Sequence, residues 1–85
     1  MQAYLVTFAS THAALSFEGS FGSGGALVPV PPSLRAGCGM AWRYVAAGDE
    51  EAAALAGAAA QAVGLAGSDW QLHAQEDGGS WRLVR

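Results

Sequence analysis

The sequence predicts an α+β fold, a ferredoxin-like split βαβ sandwich of order βαββαβ, with a C-terminal segment that forms either one strand or an extra hairpin strand. Three observations predict it. Strand-like runs at 4–9, 26–30 and 40–46 alternate with helical patterns at 11–22 and 49–62. A hairpin turn, Asp77-Gly78-Gly79, divides the last strand-like stretch. The 85 residues leave room for one core, so residues 1–85 form one domain in this reading. With right-handed crossovers, two helices then lie on one face of an antiparallel sheet.

Tyr4 to Ala9 is β-branched and aromatic, with too little polarity for an exposed edge, and reads as a central strand. Ser10-Thr11 offers a helix N-cap, and Ala14, Phe17 and Phe21 share one helical face before glycines end the helix near residue 22. Ala26 to Val30 is a strand in which Pro29 lacks an N–H to donate, which favours an edge. Pro31-Pro32 stops it, and 33–39 is a loop. Met40 to Ala46 is the next strand, with Trp42 and Tyr44 on one face and Ala41, Arg43 and Val45 on the other. Asp49 is the expected cap of the second helix, whose acidic first turn suits the dipole, and Leu55, Ala59 and Val63 are its expected buried stripe. Trp70 to Ala74 and Ser80 to Val84 are the last strand-like pieces, with Trp70 and Trp81 facing each other if they pair.

A chain this short is marginally stable alone, which makes homo-oligomerisation an attractive expectation. One cysteine forms no internal disulfide, and two scattered histidines complete no metal spacing, so neither metal nor cofactor is expected. A lone thiol fits a reducing compartment. The opening MQAYLVTFAS has no basic n-region and a strand-length apolar run, and no run reaches the 18 or more residues of a membrane span, so a cytoplasmic location away from membranes is expected. The net charge of -3, without lysine, offers no basic stripe for nucleic acid.

Cys38 is the residue on which chemistry turns. A lone cysteine is commonly a small apolar filler. The setting SLRAGCGMA argues otherwise: Gly37 and Gly39 give little side-chain cover and leave amides free for an electropositive nest, and Arg35 or Arg43 adds charge that favours a thiolate. An accessible thiolate attacks sulfur or selenium electrophiles, and with no partner cysteine it exchanges only with another molecule. Both alternatives stay open on these residues. His12 and His73 lack an orienting third group, so no dyad is assigned. The β1–α1 and β2–β3 loops are expected at opposite ends of the sheet, which separates His12 from Cys38. Asp49, Glu50 and Glu51 read as helix capping. FGSGG lacks the Lys-Ser/Thr of a phosphate loop and follows a helix, so it reads as a helix exit.

Two blocks, YLVTFASTHAAL and VPVPPSLRAGCGMAWRY, carry a resemblance. The first matches a strand ending in phenylalanine before a Ser/Thr-Thr-His-x-Ala helix start, at Phe8, Ser10, Thr11, His12 and Ala14. The second matches a proline-containing strand exit, a serine-containing loop and a Cys-Gly pair before an arginine-bearing strand, at Pro29, Pro31, Ser33, Cys38, Gly39, Ala41 and Arg43. The chain thereby resembles the selenium/sulfur carrier protein-like family, a small bacterial domain classed as being of unknown function. That family's first helix is longer and more charged, and its C-terminal strand simpler than WQLHAQEDGGSWRLV. The resemblance implies Cys38 as the carrying atom, Gly39 as its backbone neighbour, and a desulfurase-like donor or a sulfur or selenium acceptor protein as partner. Whether such a carrier counts as an enzyme stays open. The rival is a non-catalytic binding or regulatory module in which Cys38 only packs.

Overall fold

Five strands and two helices follow one another as β1 (Gln2–Phe8), α1 (Thr11–Phe21), β2 (Gly25–Pro29), β3 (Met40–Ala46), α2 (Asp49–Ala62), β4 (Trp70–Gln75) and β5 (Trp81–Leu83), in a computed structural model that describes residues 1–85. The sheet order is β2-β3-β1-β4-β5 and every neighbouring pair is antiparallel. The first four strands have the ferredoxin-like arrangement, and β5 adds an edge through its hairpin with β4. The terminal segment is therefore two strands. β1 is central, as its unbroken apolarity requires, and β2 is the edge that Pro29 tolerates.

α1 begins where Ser10 accepts a hydrogen bond from the Ala13 N–H at 3.1 Å, and it ends at Gly22, whose φ of 78° suits glycine. Both helices cover the sheet face bearing Tyr4, Val6, Phe8, Trp42, Tyr44, Trp70 and Leu72. Phe17 meets Phe8 edge-on at 5.2 Å between centroids, and Phe21 meets Tyr44 at 4.9 Å. Trp42 fits because position 25 is glycine: a Cβ there would come within 2.6 Å of the indole. Its buried Nε1–H has no acceptor, a cost of about 1–3 kcal/mol.

Several expectations need correction. The β1–α1 turn and the β2–β3 loop lie at the same end of the sheet, because α1 returns the chain so that β2 runs parallel to β1 with β3 between them. The buried face of α2 is Ala52, Ala56, Ala59 and Ala60, whereas Leu55 and Val63 are exposed. Small side chains let this helix come so close that the Tyr44 hydroxyl donates to the Ala52 carbonyl at 2.6 Å. Gly48, not Asp49, is the N-cap of α2. The Asp49 carboxylate instead accepts from the Tyr4 hydroxyl at 2.8 Å and pairs with Arg82 at 2.9 Å. Trp70 and Trp81 do not face each other. Trp81 lies opposite Gln75 on the open sheet face, while Trp70 points to the helical side, under the Arg85 guanidinium.

Candidate functional site

The loop from Val30 to Gly39 is closed at its base, where the Val30 N–H donates to the Gly39 carbonyl at 3.0 Å. A turn from Pro31 to Leu34 shortens it, and its return limb lies against the end of β1. Gly37 makes that approach possible, since a Cβ at this position would overlap the Ala9 carbonyl oxygen. Gly39 has open space on its Cβ side. Neither glycine has positive φ, so the expected nest, in its alternating right- and left-handed form, is not made by this loop.

The Cys38 side chain turns inward and joins the helix-side core with only 6% of the residue exposed. Its sulfur keeps two polar neighbours. The Met40 N–H donates to Sγ at 3.4 Å, and the Thr11 hydroxyl lies 3.7 Å away. Thr11 is the first residue of α1, so the sulfur borders a helix N-terminus, whose free N–H groups and dipole favour negative charge. A sulfur in this seat has donors ready for a thiolate, or for the inner sulfur of an adduct, but little open surface.

The arginines stand elsewhere. Arg43 is on the open sheet face, in register with Leu5 and Ala26, across the sheet from the helix-side core. Arg35 lines a cleft of about 200 Å³ beside Ala9, Ser68 and Trp70. Neither forms a hydrogen bond or ion pair with another side chain. His12 is exposed, next to Thr11. His73 is buried on the open sheet face, 3.1 Å from the Thr7 hydroxyl, and burial pushes its titration below the usual 6.5.

The remaining perturbed groups knit the opposite end of the sheet. Burial, then the hydrogen bond to Asp49, pushes Tyr4 up to about 12, and burial raises Tyr44 as well. The Arg82 guanidinium, followed by the Tyr4 hydroxyl, holds the Asp49 carboxyl below its ordinary range. No group of three or more His, Cys, Asp or Glu side chains gathers as a ligand set. No helix is long and apolar enough to cross a membrane.

Residues 3–62 match the family described as "Putative Se/S carrier protein-like". The chain belongs to this family. Neither a curated protein nor a solved structure matches the chain. The span matched by the Se/S carrier-like family runs from β1 through α2 and contains Cys38, Thr11 and Met40. The closing strands β4 and β5 lie beyond it. Thr11 is no expected neighbour of the sulfur while the two loops are read at opposite ends of the sheet; the return of α1 puts both at one end.

Proposed function

We propose that this Se/S carrier-like chain works in the cytoplasm as a sulfur or selenium carrier, with Cys38 holding the atom as a persulfide or its selenium counterpart. The observation that carries this reading is the seat of the chain's one thiol, between the Met40 N–H and the Thr11 hydroxyl at the start of α1. In the sulfur form, the Cys38 thiolate attacks the outer sulfur of a donor persulfide. A new S–S bond forms at Cys38, the donor's S–S bond breaks, and the donor leaves as a thiolate. An acceptor nucleophile then attacks the outer sulfur and releases Cys38 as thiolate, so the carrier is unchanged over the cycle. The Met40 N–H and the helix start stabilise the negative sulfur that begins and ends the cycle. Gly37 seats the loop against the end of β1, and Arg35, on the same loop, lines the cleft beside Trp70. Arg43, held in β3 on the open sheet face, takes no part at the sulfur.

A second reading rests on burial. With so little of Cys38 exposed, the chain would be a binding or regulatory module and the thiol a packing residue. Intact mass after incubation with a low-molecular-weight persulfide separates the two. The carrier gains one sulfur, loses it on reduction, and fails to gain it as Cys38→Ser. A folded chain that never gains the mass, and whose thiol alkylates only in denaturant, is the binding module.

A further inference from the structure

The charges of this chain are sorted between the two ends of its sheet. Asp49, Glu50 and Glu51 open α2, Glu18 lies near the end of α1, and Glu76 and Asp77 form the β4–β5 turn, all at the end away from Cys38. Asp69 is the one acidic side chain at the Cys38 end, where one of its carboxylate oxygens accepts from the Ala66 N–H at 2.7 Å. Arg82 is neutralised at the acidic end by Asp49 and Glu76, at 2.9 and 2.7 Å. Arg35 and Arg85, at the Cys38 end, pair with no Asp or Glu side chain.

These two arginines occupy adjoining clefts. Arg35 lines the one of about 200 Å³ against the Cys38 loop, and Arg85 lines one of about 410 Å³ beside the end of α2. Both clefts share Gly67 and the buried Trp70, so they adjoin as one groove there. The Arg85 guanidinium rests 4.5 Å from the centroid of that ring, which orders it without neutralising it. No Asp or Glu side chain lines either cleft.

We propose that this groove docks an acidic, extended segment of the protein that exchanges sulfur or selenium with Cys38. The proposal rests on the carrier reading for the partner's role. Charge complementarity argues for the groove itself. Two guanidiniums without partners form charge-assisted, bidentate pairs with carboxylates, and Gly67 leaves room for backbone to approach. The separation of charge orients an arriving acidic surface toward the Cys38 end and turns it away from the opposite one. The overall charge of -3 disfavours indiscriminate binding of polyanions, so the attraction is local.

The test uses hexaglutamate as the probe and hexaglutamine as its neutral counterpart, followed by NMR of the full chain at low salt. Hexaglutamate is expected to shift the Trp70 indole N–H and the Arg35 and Arg85 side-chain N–H signals, while hexaglutamine leaves them in place. Arg35→Gln and Arg85→Gln should each weaken binding roughly five- to tenfold, and Arg43→Gln should leave it unchanged. No shift, equal shifts with both peptides, or equal weakening by Arg43→Gln overturns the proposal. Self-association that hexaglutamate dissolves also overturns it, because the groove's occupant is then the acidic end of another copy. Sulfur loading at Cys38, measured separately by mass, distinguishes the two readings. Loading without peptide binding removes the groove alone. Peptide binding without loading removes the carrier and, with it, the exchange role of the partner.

Discussion

The Thr11 hydroxyl lies 3.7 Å from the Cys38 sulfur, so the first turn of α1 and the loop before β3 meet at the only thiol in the chain. With the Met40 N–H, this contact gives the sulfur a polar wall beside the apolar core. Thr11→Val keeps the shape and removes the hydroxyl. It is expected to change stability by only about 1 kcal/mol and to slow sulfur loading of Cys38 roughly three- to tenfold. Thr11→Ser should restore the rate. Time-resolved intact mass checks this, and a Thr11→Val chain that loads at the wild-type rate gives the hydroxyl no role at the sulfur.

Gly37 and Gly39 flank the thiol alike in sequence but not in space. Gly37→Ala drives a methyl group into the Ala9 carbonyl, so the loop must lift from the end of β1. The expected result is a loss of about 1–3 kcal/mol of stability together with faster alkylation of Cys38 under native conditions. Gly39→Ala meets open space and should change neither by much. Denaturant melts and alkylation rates on both variants decide it, and identical behaviour would contradict the packing described for the loop.

His73 is buried beside Thr7, and its folded-state titration lies below the ordinary 6.5. Below pH 6.5 the unfolded chain takes up this proton more readily than the folded one. The stabilising contribution is therefore present above pH 6.5 and is lost as the pH falls through the folded-state value, at about 1.4 kcal/mol for each unit of depression. Stability of the wild type should decline between pH 7 and 5, and His73→Gln should flatten that part of the profile. A variant with the same slope would place the proton uptake elsewhere.

The α2 interface is narrow enough for alanine alone. Ala56→Leu forces extra volume between the helix and the sheet and is expected to cost about 1–3 kcal/mol or more. Leu55→Gln, on the exposed side, should stay within about 0.5 kcal/mol. Thermal melts of the two variants test this directly; the reverse order would restore the leucine-lined stripe.

How far the sequence could be read depended on the range over which each signal acts. Ser10 and Gly22 mark the bounds of α1 through local chemistry, Pro29 marks an edge, and the alternation of β3 is visible in Trp42, Arg43 and Tyr44. The buried stripe of α2 was not legible. Counting large apolar residues favours Leu55 and Val63, but the distance between helix and sheet, which decides the matter, is set by Tyr44 and the neighbouring helix. Cys38 was legible as the residue to examine, whereas its inward rotation and its contact with Thr11 depend on which loops share an end of the sheet. The role of Gly37 was hidden for the same reason, since its neighbour is a backbone carbonyl contributed by a distant turn.

The order of the strands also bears on how the chain is made. Of these five strands β1 is made first, yet it lies between β3 and β4, with Tyr4 opposite both Tyr44 and Ala74. One edge of β1 therefore waits for β3 and the other for β4. Until β3 and then β4 emerge, a strongly apolar ribbon keeps open hydrogen-bonding edges, the circumstance in which nascent chains associate wrongly or recruit chaperones. Pairing so distant in sequence also makes folding slow and concerted, because no early fragment contains a complete sheet. The stretch that matches the family, residues 3–62, stops before β4. Expressed alone, it would leave β1 with a raw edge and the core without Trp70 and Leu72.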